Sequence, residues 1–389
     1  MEAYRQYFSV LTSGIEMSTI LLGEADEIIK TIAGIESNTE QIRCEYFSNL
    51  PGCLNHEGKH RFKKTMLETF TSIDKIYYMI IAVIDVPVNL VAIVILSRGK
   101  CGLSTCTSRY LVAMAAADLL VIITEVILYQ INWYYFPVCF LDITPVCSVR
   151  AVLRGAATDC SVCFTVIFSF DRFVAICCTK LKTKYCTGKT AAVVLSTTGI
   201  LLCLRNIPLY FRYEPGWIID SIQWFCYTIP GYFTEPGWVV FDWFKMGLTP
   251  VLPFALILLL NALTVRHILV ASRVRQGLRG ESKGKNRSDP EMESRRKSVI
   301  LLFAISGSFI LLWLLHVIDF LHYNIAGGNS SSGNDVYYIF EQVGFMLRNL
   351  NCTNTFIYGM IQCKFREQLK SAVKYPVTSI IQLMNNQNN

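Results

Sequence analysis

Apolar residues in this chain gather into seven long runs, Ile76–Leu96, Tyr110–Ile131, Val146–Cys178, Ala191–Phe211, Val239–Val265, Val299–Leu321 and Val336–Tyr358, with polar, turn-rich stretches between them. Each run is about 20 residues or longer, the length a helix needs to cross the hydrocarbon core of a bilayer. None keeps the strict apolar–polar alternation of a barrel strand, so helices are predicted. The pattern therefore predicts an all-α membrane protein, a seven-transmembrane helix bundle. An odd number of crossings places the two chain ends on opposite sides of the membrane.

The charge pattern orients the bundle. Ten Lys and Arg residues lie from Arg266 to Lys297, between spans five and six. Arg98, Lys100 and Arg109 lie between spans one and two, Lys180, Lys182, Lys184 and Lys189 between three and four, and Lys364, Arg366, Lys370 and Lys374 after span seven. The opposite loops hold only Arg212. Basic residues collect on the cytoplasmic side, so the C-terminus is predicted inside and the N-terminus outside, at the plasma membrane. Composition agrees: 52% of the 389 residues are hydrophobic and 17% charged, where soluble proteins carry about 25% charged residues. The net charge of +7 is this inner collar, and no nucleic-acid partner is needed to explain it. Expected divisions are an extracellular segment over 1–73, a membrane domain over 74–375 and a short cytoplasmic tail over 376–389. No basic, apolar leader opens the chain, so span one is expected to act as the membrane signal.

Most of the 15 cysteines lie in or beside the membrane, where Cys behaves as a small apolar residue. Cys147, at the outer head of span three, and Cys226, in the loop before span five, face an oxidising compartment and are expected to form a disulfide. Cys139 is a third outer cysteine without an assigned partner, Cys44 and Cys53 offer a local bridge, and Cys363 is a palmitoylation candidate. The extracellular glycosylation sequon is Asn329-Ser330-Ser331. No internal repeat is visible, which weighs against a secondary transporter. No phosphate loop, metal-spaced Cys/His cluster or nucleophile–base set is present, so no enzyme is expected.

Several local motifs share one order. Asn89 stands in span one and Asp118 in span two; Asp171-Arg172-Phe173 closes span three, with Arg172 25 residues after Cys147. Phe309 and Trp313 lie in span six, Asn354-Thr355-Phe356-Ile357-Tyr358 ends span seven, and Lys364-Phe365-Arg366 follows. Together these resemble the rhodopsin-like (class A) G-protein-coupled receptors over residues 74–376. Shorter strings, VNLVAIVILSRGKCGL from Val88, FLDITPVC from Phe140, DRFVAICC from Asp171 and CTNTFIY from Cys352, resemble the orphan group typified by G-protein-coupled receptor 139. That likeness implies aromatic L-amino acid ligands and Gq-type signalling. Departures are Leu315 and Thr355 in place of prolines, Asn261 in place of Tyr, and Phe173 and Thr179 in place of Tyr and Pro. Span four lacks its usual Trp.

The resemblance implies roles. Arg172, paired with Asp171 at rest, is the switch that turns toward a heterotrimeric G protein, with Phe173, Asn261, Asn354 and Tyr358 around it. The acid that usually restrains that Arg from span six is replaced by Arg295, and Glu291 and Glu293 come earlier, so basal signalling is expected. Asp118, Asn89, Ser161, Trp313 and Asn354 form a polar core that holds either allosteric Na⁺ or a hydrated knot without a fixed ion; no other cofactor is implied. A short amphipathic cytoplasmic helix is expected at Lys364, lying on membrane lipid. Charged groups at bilayer depth are functional candidates. Glu125, Arg150, Arg154, Arg348, His316 and Asp319, with Trp313 and Phe309, suit a zwitterion with an apolar ring: a guanidinium for its carboxylate and Glu125 for its ammonium. Two plainer readings stand beside this: Glu125 and Arg348 neutralise each other, or Arg154 pairs with Asp159. A neuropeptide ligand suits the long N-terminus and Trp217, Trp224 and Trp238. A transporter or channel is the alternative from another class.

Overall fold

The first apolar run is the inner part of a helix that starts well before it, and polar capping sets where the next helices begin. The computed structural model describes residues 55–99, 101–136, 138–279, 290–325, 335–350 and 365–368. The long helices are α1 (Asn55–Ser97), α2 (Thr105–Tyr135), α3 (Thr144–Cys177), α4 (Gly188–Arg212), α5 (Pro236–Ala271), α6 (Pro290–Ile325) and α7 (Asp335–Leu350). Among the described residues six helices are long and apolar enough to cross a membrane, and α7 is the described part of the seventh run. α1 begins ahead of Ile76 and passes through the expected boundary at 73/74, because its first turns are polar helix formers that hydropathy does not register. α6 begins nine residues before Val299, so Glu291, Glu293 and Arg295 belong to the helix. It runs unbroken through Leu315.

Capping explains two of the starts. Ser104 accepts a hydrogen bond from the Thr107 amide at 3.2 Å, and Thr187 does the same for Thr190 at 3.2 Å; each satisfies an amide that the first turn leaves open. Gly99, at φ +67, reverses the chain after α1 in a left-handed conformation that favours glycine.

The described residues fall into two compact units, one within Lys75–Val317 and Gly344–Asn389, the other within Met1–Asp74 and Ile318–Val343. In the smaller unit Asp74 and Asp319 are buried. In the larger unit α3 packs against α2, α4 and α5. Leu96, Leu111, Met114, Phe168, Leu301 and Ile305 fill its base. The helical turn at 365–368 adds Phe365 to that cluster at 2% exposure while Arg366 and Glu367 stay exposed, so this turn is amphipathic. The burial pattern suits lipid: Val83, Val193, Ile200 and Val240 lie exposed on the outside while Asn89, Thr165, Ser169 and Asn206 are fully buried. Thr165 and Ser169 return their hydroxyl protons to the Ser161 and Thr165 carbonyls at 2.9 and 2.8 Å.

A hairpin caps one end of α3. Strand β1 (Tyr213–Glu214) pairs with β4 (Tyr227–Thr228), and β2 (Trp217–Ile219) with β3 (Ile222–Trp224). Its two-residue turn, Asp220-Ser221, has both φ angles positive, at 50° and 64°, the arrangement that matches strand twist. The Cys147–Cys226 disulfide holds the hairpin to α3, with Cα atoms 6.3 Å apart. The Thr144 hydroxyl donates to the Phe225 carbonyl at 2.7 Å, and the Phe225 amide to the Asp142 carbonyl at 2.7 Å. Cys139 makes no disulfide with a described residue; its thiol donates to Asn132 Oδ1 at 3.0 Å.

α3 and α4 meet at Gly155, where an added Cβ would overlap the Asn206 amide oxygen and come within 2.8 Å of Leu209 Cδ1. Gly155→Ala is expected to lower stability by roughly 1–3 kcal/mol, read as a fall in the thermal unfolding midpoint of the purified protein.

Candidate functional site

Among the described residues, four groups of ionisable side chains lie along α3. At the end opposite the hairpin, Arg172 is 7% exposed and Asp171 5%. Arg172 Nε donates to Asp171 Oδ2 at 3.1 Å, and Nη2 bonds the same oxygen. Nη2 also donates to Thr107 Oγ1 on α2 at 2.5 Å, and the Cys106 thiol donates to Asp171 Oδ1 at 3.2 Å. The guanidinium lies 5.7 Å from the Phe168 ring centre. The first turn of α2 thus grips both members of the Asp171–Arg172 pair. Phe173 beside them is half-buried, and Asn261 Oδ1 on α5 is buried without a hydrogen-bond partner among the described residues. In the loop that follows, burial, then the charge of Asp171, pushes the Cys186 thiol up to about 11.

Midway along α3, the Ser161 hydroxyl donates to Asp118 Oδ1 at 2.5 Å. Asp118 is 1% exposed and Asn89 fully buried. Asn89 Nδ2 donates to the Asp85 carbonyl at 3.0 Å. Asp85, itself 1% exposed, was missed in the sequence, although an acid inside Ile76–Leu96 is the same signal that marks Asp118. Trp313 lies 5.8 Å from Phe309 and 5.9 Å from His316, and its indole N–H has no hydrogen-bond partner among the described residues. Asn354 and Tyr358 lie outside the described residues, as do Asn329, Cys44, Cys53 and Cys363.

The third group lies nearest the hairpin. Glu125 sits in a π-helical stretch of α2, Ile122–Ile131. Such wide turns are uncommon and concentrate at functional sites. Glu125 Oε2 lies 3.3 Å from Arg154 Nε on α3, and Oε1 3.0 Å from Arg348 Nη2 on α7. The carboxylate is 4% exposed, the two Arg side chains 21% and 13%. Arg154 lies over the Tyr129 ring at 4.4 Å, and Arg150 over the same ring at 5.3 Å. Arg150 also donates to the Leu128 carbonyl at 2.8 Å. Arg348 faces Phe345 at 4.8 Å and Trp313 at 5.9 Å, and His316 lies 5.2 Å from Phe345. Phe309 packs on Phe254 at 5.4 Å. The structure thus brings Glu125, Arg154, Arg348, Trp313 and His316 together. Asp319 belongs to the smaller unit.

This geometry bears on two sequence readings. Glu125 and Arg348 do pair, with Arg154 as a second partner, and both Glu125 oxygens are engaged. Arg154 does not take Asp159: that carboxylate pairs with Arg205 and accepts from Asn206 Nδ2 at 2.5 Å. Arg205 also donates to Thr249 at 3.2 Å, where α5 leaves helical geometry. This second network, with Lys245 on α5 near Asp159, also escaped the sequence reading; Lys245 inside the Val239–Val265 run was its visible signal.

Apolar helices around buried ions, roofed by a disulfide-tied hairpin and ending in a guanidinium–carboxylate lock, define a multi-pass membrane receptor. Residues 88–358 match the family described as 7 transmembrane receptor (rhodopsin family), and the chain belongs to that family, which consists of receptors and not enzymes. It is 26% identical over 307 residues to the C5a anaphylatoxin chemotactic receptor 1 of Oncorhynchus mykiss, covering 77% of this chain and 80% of that one. It is 24% identical to the growth hormone secretagogue receptor type 1 of Oryctolagus cuniculus (73% and 76% covered). It is 23% identical to the G-protein coupled estrogen receptor 1 of Mus musculus (69% and 66% covered), so the chain spans just under two thirds of that relative's length.

Glu125→Gln leaves two half-buried guanidinium groups without their acid and is expected to destabilise the protein by about 3 kcal/mol, seen as a lower unfolding midpoint. At Cys186, maleimide labelling of the folded protein is expected to be slow at neutral pH and to rise only as pH approaches the thiol's raised value, since the thiolate is the reactive form.

Proposed function

We propose that this protein is a plasma-membrane receptor that couples ligand binding at the hairpin end to a heterotrimeric G protein, of Gq type, at the Arg172 end. In this reading the hairpin faces outside and the C-terminus the cytoplasm, as the basic loops favour. The divisions at 1–73, 74–375 and 376–389 go with it, α1 crossing the first. The observation that carries the reading is one helix bearing both sites. Arg154 and Arg172 are 18 residues apart on α3, roughly 27 Å at helical rise, and each is held by partners on other helices.

Activation then means breaking the hold of Thr107 and Asp171 on Arg172, with Phe173, Asn261, Asn354 and Tyr358 as the surrounding contacts. Asp118 and Ser161 place oxygen donors in a buried site between the two ends, with Asn89 nearby. Oxygen is the donor a hard cation requires, and Na⁺ held there would favour the resting arrangement. The ligand is a small aromatic carboxylate, the aromatic L-amino acids among its simplest members. Arg150, Arg154 and Arg348 supply guanidinium groups for the carboxylate, and Trp313, His316 and Phe309 supply ring faces. Glu125 sets the two central guanidinium groups. Resemblance of the short strings to the orphan group supports this ligand class and Gq.

A peptide ligand is the second reading. It is favoured by the hairpin's Trp217 and Ile218, exposed at 63% and 68%, and by relatives named for an anaphylatoxin, a secretagogue and, in Caenorhabditis elegans, a neuropeptide. A panel of free amino acids and peptides, scored for calcium release and cAMP in transfected cells with Arg172→Ala as control, separates the two. Arg154→Leu is expected to weaken aromatic amino-acid potency by about tenfold or more, the worth of a charge-assisted hydrogen bond; unchanged potency at equal surface expression rejects the assignment. Thr107→Val removes one hold on Arg172 and is expected to raise ligand-free signalling severalfold; a fall to the mock-transfected level contradicts the switch.

A further inference from the structure

Arg172 is held by one acid and one neutral hydroxyl. Its Nε and Nη2 bond Asp171, Nη2 also donates to Thr107 Oγ1 at 2.5 Å, and Nη1 makes no hydrogen bond with a described residue. A hydroxyl contributes less than a charged partner would. Thr107 is 1% exposed, so nothing outside the bundle acts on it directly. Its hydroxyl, however, lies 2.6 Å from Ser104 Oγ, and its amide donates to that same oxygen at 3.2 Å. Because Thr107 Oγ1 receives a proton from Arg172, its own proton is left for Ser104. Two hydrogen bonds in series thus run from Arg172 to Ser104.

Ser104 is the reachable end of that series. It is exposed, its backbone is extended (φ −64, ψ 150), and the described residues between Arg98 and it are not helical. Of the other hydroxyls in the first turn of α2, those of Thr107 and Ser108 are buried. Thr105 is exposed but has no part in the series. Arg98 and Lys100 precede Ser104 and Arg109 follows it, a basic setting that suits an enzyme with an acidic substrate groove. Arg98 and Arg109 are exposed, and Arg109 Nη1 donates to the Gly188 carbonyl at 2.5 Å.

We propose that Ser104 is a phosphorylation site, and that its phosphate takes hold of Arg172 across Thr107 and keeps the receptor at rest. This rests on the orientation and the switch proposed above, since the start of α2 must face the cytoplasm, where ATP is available. On a protein kinase, Ser104 Oγ attacks the γ-phosphorus of ATP, the bond from that phosphorus to the bridging oxygen breaks, ADP leaves, and the hydroxyl proton passes to the kinase's base. The product carries about −1.5 to −2 charge and three strong acceptor oxygens. It lengthens the side chain by two bonds, toward the gap that the Thr107 hydroxyl now bridges. A guanidinium presents two parallel N–H donors to such a group, and Nη1 with Nη2 are the donors here. The phosphate thereby supplies the charged restraint that the resemblance assigns to an acid on α6, where this chain has Arg295. Arg98 and Arg109, on either side of it in the sequence, offset the rest of its charge.

The test uses the full-length receptor, expressed in cells under phosphatase inhibition and purified in detergent. Peptide mass spectrometry is expected to find phosphate on Ser104, and phosphatase treatment to lower the thermal unfolding midpoint. Ser104→Asn keeps a capping side chain but accepts no phosphate, and is expected to show no such drop. Arg172→Gln is expected to lose the drop as well, and Arg172→Lys, which keeps the charge without the planar fork, to show a smaller one. In cells, Ser104→Asp is expected to lower ligand-free signalling about threefold relative to Ser104→Asn, the scale of a partly exposed ion pair. Absence of phosphate on Ser104, no drop on its removal, or a drop as large in Ser104→Asn or Arg172→Gln each overturns the proposal. So does ligand-free signalling that is present and equal in Ser104→Asp and Ser104→Asn. A drop that requires both Ser104 and Arg172, with no ligand-free signal from any variant, leaves the site standing and rejects G-protein coupling instead.

Discussion

Glu125, held between Arg154 and Arg348, ties three helices through one carboxylate, and much of the upper bundle is arranged around it. An ion at that depth has no water to solvate it, so its partners must arrive from protein. The π-helical stretch sets the acid within reach of both guanidinium groups, and Tyr129, Phe345 and Trp313 supply ring faces against the cations. The acid and its partners come from α2, α3 and α7, so the pairing holds only while those helices keep their relative rotation. Charge matching here does what hydrophobic burial does in a soluble core, because apolar contact alone does not distinguish helix from lipid.

The same logic governs the other end of α3, with different materials. Arg172 is satisfied by its sequence neighbour Asp171 and by Thr107, and Asp171 in turn by the Cys106 thiol. A hydroxyl and a thiol from the first turn of α2 hold this pair, where the family resemblance leads to the expectation of an acid from α6. Such a hold is weaker than a second salt bridge, since a neutral hydroxyl contributes less than a charged partner. The lock therefore depends on the start of α2, which Ser104 fixes by capping.

Hydropathy made the seven runs and their order legible, because long apolar segments follow directly from bilayer thickness. Helix starts were less legible: α1 and α6 extend through polar turns that carry helix propensity but no hydropathy signal. Ionisable residues inside the runs were legible as a class, which exposed Asp118, Glu125 and Arg154. Their pairing was not, since Asp159 is the acid near Arg154 along the chain, whereas the partner it takes, Glu125, comes from another helix whose rotation the sequence does not fix. Asp85 and Lys245 carried the same signal and were passed over because neither is itself one of the motif residues that the resemblance rests on. The grip of Thr107 and Cys106 on the Asp171–Arg172 pair was invisible for a simpler reason: a single Thr or Cys at a helix start is ordinary.

The hairpin is fastened to the head of α3 by a disulfide and two main-chain anchors, so roof and shaft are one piece. Tilting α3 must carry the roof with it, and pushing on the roof must tilt α3. A molecule that touches only the exposed tip, without entering the bundle, therefore holds the long arm of a lever whose short arm ends at Arg172.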